Sequence, residues 1–114
     1  MSDFKEIDQE LLNGYLQSLG RDVLAKMLEL YVRQSTTYIE NIQHALTSQS
    51  QESWEEACHK MKGAAGSVGL IEAHAQLASL EKSTQNWDEK AQAFQSLQVC
   101  NQNSIAKFNL WLTQ

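Results

Sequence analysis

No proline occurs anywhere in this chain, and only 5 of its 114 residues are glycine. Proline breaks a helix by removing an N–H and clashing with the preceding turn, and glycine weakens one through backbone entropy. A sequence almost clear of both, with apolar residues recurring at i, i+3, i+4 and i+7, is suited to long uninterrupted helices. The spacing predicts an all-α protein, an antiparallel four-helix bundle with an additional short N-terminal helix. The length fits one domain, residues 1–114, around one hydrophobic core. No strand pattern, repeat or low-complexity stretch competes with that reading.

Residues 1–7 read as a loose lead-in, with Phe4 and Ile7 available to pack. Asp8 is a suitable N-cap for a first helix carrying Leu11, Leu12, Tyr15, Leu16 and Leu19, and Gly20 is placed to end it. A second helix is expected over about 21–46, with Val23, Met27, Leu30, Tyr31, Tyr38, Ile42, Ala45 and Leu46 as its apolar stripe. Residues 47–51 read as a turn, and Ser50 or Ser53 suits the cap of a third helix that stops near Gly69. The fourth begins near Leu70 and shows Leu70, Ala73, Leu77, Leu80 and Thr84. A polar loop over 82–88, from which Trp87 docks back, leads to a last helix over about 89–112. Phe94, Leu97, Ile105, Phe108 and Leu112 face inward there, and Asn101 interrupts the stripe.

Composition removes several classes of function. Apolar residues make up 42% of the chain, as in globular proteins. A net charge of −5 provides no basic patch to neutralise phosphates, which disfavours nucleic acid and anionic membrane as partners. No apolar run approaches the roughly 20 residues that span a bilayer. The first residues lack a charged-then-apolar signal pattern, so a cytoplasmic location is expected, and the bundle is expected to be a monomer. Cys58 and Cys100 read as small, reduced core residues.

The third helix carries the unusual stretch, Ala57-Cys58-His59-Lys60-Met61-Lys62-Gly63-Ala64-Ala65-Gly66-Ser67-Val68-Gly69-Leu70. At about 100° per residue, Trp54, Ala57, Cys58, Met61, Ala65 and Val68 form the buried stripe. His59, Lys62, Gly63, Gly66 and Ser67 share the outer face. A glycine inside a helix costs about 1 kcal/mol relative to alanine, which a merely solvated face has no reason to bear. A helix that must let another protein approach its backbone beside a reactive imidazole does.

His44 and His74 have no such company in sequence and read as ordinary polar residues. Cys58 and His59 point different ways on a helix, and no Cys-x-x-Cys or His-x-x-x-His pair offers a metal set. There is no nucleophile elbow and no phosphate-binding loop for ATP. Imidazole, with an ordinary pKa of about 6.5, is a good neutral nucleophile. Phosphoryl transfer asks a protein mainly for positioning and cationic stabilisation. Lys62, one turn on, supplies the cation, while a convex helix offers a small molecule no pocket. Antiparallel folding about 68–70 sets residues 79–81 beside His59. Glu81 is the candidate to accept a hydrogen bond from the ring, with Gln76 and Gln85 as alternatives.

The run from His59 to Leu70 resembles the signature of histidine-containing phosphotransfer (HPt) domains, and the order of helices follows that family over nearly the whole chain. The resemblance implies that His59 is phosphorylated, normally on Nε2, by a receiver-domain aspartate and passes the group to another receiver aspartate. The receivers would belong to a hybrid sensor kinase and a response regulator. The family's lysine falls on Lys62, its glycines on Gly63 and Gly66, and its ring-orienting residue on Glu81, with Ser67 in the docking patch. Mg²⁺ belongs to the receiver, so no cofactor is expected. Histidine-kinase dimerisation helices usually have an acidic residue after the histidine and then a proline. This chain has Lys60 and no proline, so no autophosphorylation from ATP is expected. With Met1 at its start it reads as a free-standing module, the alternative being an excised kinase domain. The competing function is a helical adaptor that binds receivers without chemistry.

Overall fold

The computed structural model describes residues 4–114, so any expectation for Met1, Ser2 and Asp3 lies outside it. Five helices follow one another: α1 (Gln9–Leu19), α2 (Arg21–Ser48), α3 (Gln51–Ser67), α4 (Ile71–Glu81) and α5 (Trp87–Leu112). Among the described residues there is no strand. The four helices α2 to α5 form the bundle, each packed on its sequence neighbour and α5 closing the ring against α2. At 1.5 Å per residue α2 is about 42 Å long, and it sets the long dimension of a 43 × 28 × 17 Å body.

The helix boundaries have local causes. Asp8 caps α1 by accepting from the Leu11 N–H, and Ser50 caps α3 by accepting from Ser53. Asn86 and Glu89 form a reciprocal capping box. That box starts α5 at Trp87, two residues earlier than expected, and shortens the preceding loop to 82–86. Thr84 therefore lies exposed in that loop and not on α4. The second helix runs two residues past its expected end, and there Thr47 and Ser48 bond back to the carbonyls of Gln43 and His44, at 3.0 and 2.9 Å. Gln49 then closes it in a left-handed conformation, φ 53°. Helix α4 has no side-chain cap. The Glu6 carbonyl accepts from the Glu72 N–H instead, at 3.4 Å.

The core follows the predicted stripes in α3, α4 and α5. In α2 the phase differs. Leu24, Leu28, Tyr31, Ser35, Ile42 and Ala45 are buried, whereas Val23 and Leu30, expected inward, are exposed, as is Leu19 of α1. The first half of α2 carries apolar residues on two adjacent stripes, and the one a residue further round is the buried one. Asn101 is buried and accepts from the Tyr31 hydroxyl at 2.6 Å, tying α5 to α2. Burial pushes that phenol well above the ordinary tyrosine range. It also pushes the Cys58 thiol up to about 12, so this cysteine stays protonated and inert.

The N-terminal segment seals one end. Ile7 is buried, Phe4 packs against the core, and the Asp8 N–H donates to Gly69 O at 2.8 Å. Gly69 turns the chain between α3 and α4 at φ 73°. Leu12 sits so close that a Cβ there would meet its side chain at 3.2 Å.

Candidate functional site

Trp54 anchors the site from below. Fully buried, it meets Trp87 and Phe94 edge-on and donates its indole N–H to Leu80 O at 2.8 Å. Carbonyls in the last turn of a helix have no intrahelical partner. The indole joins the Ser83 N–H, at 3.1 Å, on the Leu80 carbonyl and ties the end of α4, from which Glu81 projects, to α3.

His59 stands on the outer face of α3 with its side chain 66% exposed. Its Nδ1 lies 3.3 and 3.2 Å from the two carboxylate oxygens of Glu81. A carboxylate can only accept, so Nδ1 carries the proton and Nε2 presents its lone pair to solvent. Lys62 reaches the same carboxylate, Nζ to Oε1 at 2.8 Å. The hydrogen bond from Lys62 is the first cause that holds Glu81 below the ordinary carboxylate range. Partial burial opposes it, and the His59 bond adds to it. The result is a fixed order of charge: ammonium, carboxylate, imidazole N–H.

The α3–α4 hairpin thus sets Glu81 beside His59, as its register predicts. Gln76 is exposed, and Gln85 bonds to Ser83 in the 82–86 loop. Gly63 is open: a Cβ added there would meet nothing within 4 Å. Ser67 is exposed, with its hydroxyl turned back to Ala64 O and its carbonyl accepting from Tyr15. Although α3 is convex, α1 and α2 rise beside it and leave an open groove of about 690 Å³. Tyr15, Met27, Leu30 and Tyr38 form one wall, and His59 and Gly63 the other. Leu30, exposed on α2, lines this groove beside the half-buried Met27 and Tyr38. Among the described residues no group of three His, Cys, Asp or Glu side chains is placed to hold a metal ion.

The sequence model of the Hpt domain matches residues 26–107, from the first turns of α2 to the last of α5. The chain belongs to the Hpt domain family. Histidine phosphotransfer in a two-component phosphorelay is the function that membership carries. Over 64 residues this Hpt chain is 34% identical to the aerobic respiration control sensor protein ArcB of Escherichia coli K12 and of Shigella flexneri. That stretch is 56% of this chain but spans only 8% of the length of those relatives. The solved histidine-containing phosphotransfer domain of ArcB from Escherichia coli has the same fold. Its TM-score is 0.84 at 23% identity, over 94% of this chain and 92% of that one.

Two features of this Hpt site were not foreseen from sequence. One is the Lys62–Glu81 ion pair, which makes the lysine part of the ring's support. The other is His74, read as an ordinary polar residue, whose Nδ1 lies 3.1 Å from Lys62 O. Gly66 faces it: a Cβ there would stand 2.9 Å from His74 Nδ1. The expected openness at Gly66 is therefore filled from within the bundle, by α4. The signal was present, because the register that pairs His59 with Glu81 also pairs Gly66 with His74, two turns along each helix.

Proposed function

We propose that His59 is the phosphoryl carrier of this relay domain, with receiver-domain aspartates as donor and acceptor. The observation that carries the proposal is the exposed ring whose Nδ1 is engaged by Glu81, leaving Nε2 facing solvent. In the accepting step the Nε2 lone pair attacks the phosphorus of an aspartyl phosphate. The N–P bond forms, the P–O bond breaks, and the aspartate leaves as a carboxylate with the electron pair. The ring keeps its Nδ1 proton and becomes a cationic phosphoimidazolium beside the Glu81 carboxylate. In the donating step a second aspartate attacks phosphorus, and the N–P electrons return to Nε2. No proton has to leave or arrive at either step.

Lys62 offsets the negative charge of Glu81 that the incoming phosphoryl oxygens would otherwise face. Gly63 leaves room for the receiver backbone, and the groove toward α1 and α2, with Ser67 at its edge, receives the receiver's docking surface. Gly66 acts from behind, through α4. The receivers are those of a hybrid sensor kinase and of a response regulator, and Mg²⁺ belongs to the receiver. The domain works as a monomer in the cytoplasm; no helix among the described residues is long and apolar enough to cross a membrane.

The test is incubation with a ³²P-phosphorylated receiver domain and Mg²⁺. Acid-labile, alkali-stable label on the chain is expected, and His59→Gln should lose it with helical circular dichroism unchanged. Label that survives His59→Gln contradicts the assignment. Binding without label on the wild type favours the adaptor reading.

A further inference from the structure

We infer that His74 is a positioning residue for phosphotransfer, acting through the main chain of Lys62 across a contact that Gly66 makes possible. The inference rests on His59 being the phosphoryl carrier. Lys62 O can only accept, so the 3.1 Å contact from His74 fixes the proton of that ring on Nδ1. A carbonyl has two lone pairs, so this bond adds to the helical one without displacing it. The ring approaches the α3 backbone where a side chain at position 66 would stand, 2.9 Å from its Nδ1 and 3.3 Å from its Cε1. Glycine at 66 thus lets the His74 ring lie against α3, and a larger side chain there has to displace it.

The consequence falls on Lys62, which α4 holds at both ends. His74 takes its carbonyl, and Glu81, two turns further along the same face, takes its ammonium. His59 lies one turn before Lys62 and shares the Glu81 carboxylate. The α3–α4 spacing at His74 therefore sets how the Lys62–Glu81 pair stands against the reactive ring. His74 contributes nothing to the groove between α1, α2 and α3, so its loss should affect the transfer step and leave docking alone.

Transfer from a phosphorylated receiver that labels the wild-type chain is measured for His74→Leu, His74→Asn, Gly66→Ala and the His74→Leu/Gly66→Ala double variant. His74→Leu should lower the rate at saturating receiver about tenfold, about 1.4 kcal/mol, with KM within about twofold of wild type. Asparagine places an N–H near the position of Nδ1 and should recover most of that rate. Gly66→Ala pushes the ring away and should reproduce His74→Leu, and the double variant should be no slower than either, because one contact is lost in all three. The ¹⁵N shifts of the His59 ring should move in His74→Leu and return in His74→Asn, which a general loss of stability would not produce. If His74→Leu unfolds, the comparison of Gly66→Ala and His74→Asn with wild type decides by the same rates and shifts. Wild-type rates and unmoved His59 shifts in Gly66→Ala and in whichever His74 variants fold overturn the inference. A wild-type chain that takes no label at His59 overturns the functional reading beneath it.

Discussion

At the scale of single residues, the site turns on one carboxylate serving two donors. Glu81 is a stronger partner for a cationic ring than a neutral amide would be, and with His59 as the proposed carrier it sets a negative charge near the phosphoryl group. Lys62 at 2.8 Å answers that second effect. Lys62→Ala should therefore slow transfer about tenfold, a loss of about 1.4 kcal/mol, with receiver affinity changing far less. Glu81→Gln in the same chain should recover part of the loss, since the uncompensated charge goes with it. Stopped-flow transfer rates set beside titrated receiver affinity separate the two effects. Glu81 also links stability to pH. Its folded pKa lies below its unfolded value of about 4.3, so its contribution is complete above the unfolded value. It is lost as pH falls through the depressed folded value. The stability difference between wild type and Glu81→Gln, from urea midpoints at pH 7, 5, 4 and 3, should shrink toward the acid end; a difference that grows there contradicts the ion pair.

At the scale of elements, the turn between α3 and α4 sets the register on which the whole site depends. Gly69 has φ 73°, where an alanine costs roughly 1–2 kcal/mol, and its missing Cβ makes room for Leu12. Gly69→Ala should lose at least about that much stability in urea denaturation; an unchanged midpoint would mean the turn can re-form otherwise. Helix order, the Asp8 cap and the buried stripe of α3 are legible in sequence because caps and helical period are local signals, while sequence leaves Ser50 and Ser53 open for α3 and Ser50 serves. The phase of α2 is not legible. Val23, Met27 and Leu30 are as apolar as Leu24 and Leu28, and only tertiary packing decides between the two stripes. Glu81 was legible because a hairpin has a register. His74 obeys the same register but was passed over, because its partner is a backbone carbonyl that no side-chain pattern announces.

At the scale of the molecule, the bundle does little chemistry and a great deal of placing. The long helices α2 and α5 are locked by Tyr31 and Asn101. The Trp54 cluster fixes α3 against α4 and α5. The N-terminal segment and α1 close the end where α3 and α4 meet, and Tyr15 reaches across to Ser67. The outcome is an outer face of α3 on which the His59 imidazole stands exposed beside an adjoining groove.

The central claim is most directly tested by NMR of the ¹⁵N-labelled imidazole after incubation with a phosphorylated receiver and Mg²⁺. The expected result is ¹⁵N–³¹P coupling at Nε2 of His59 with the proton retained on Nδ1. Phosphate on Nδ1, or on His44 or His74, or none on any ring while the receiver remains bound, would contradict it.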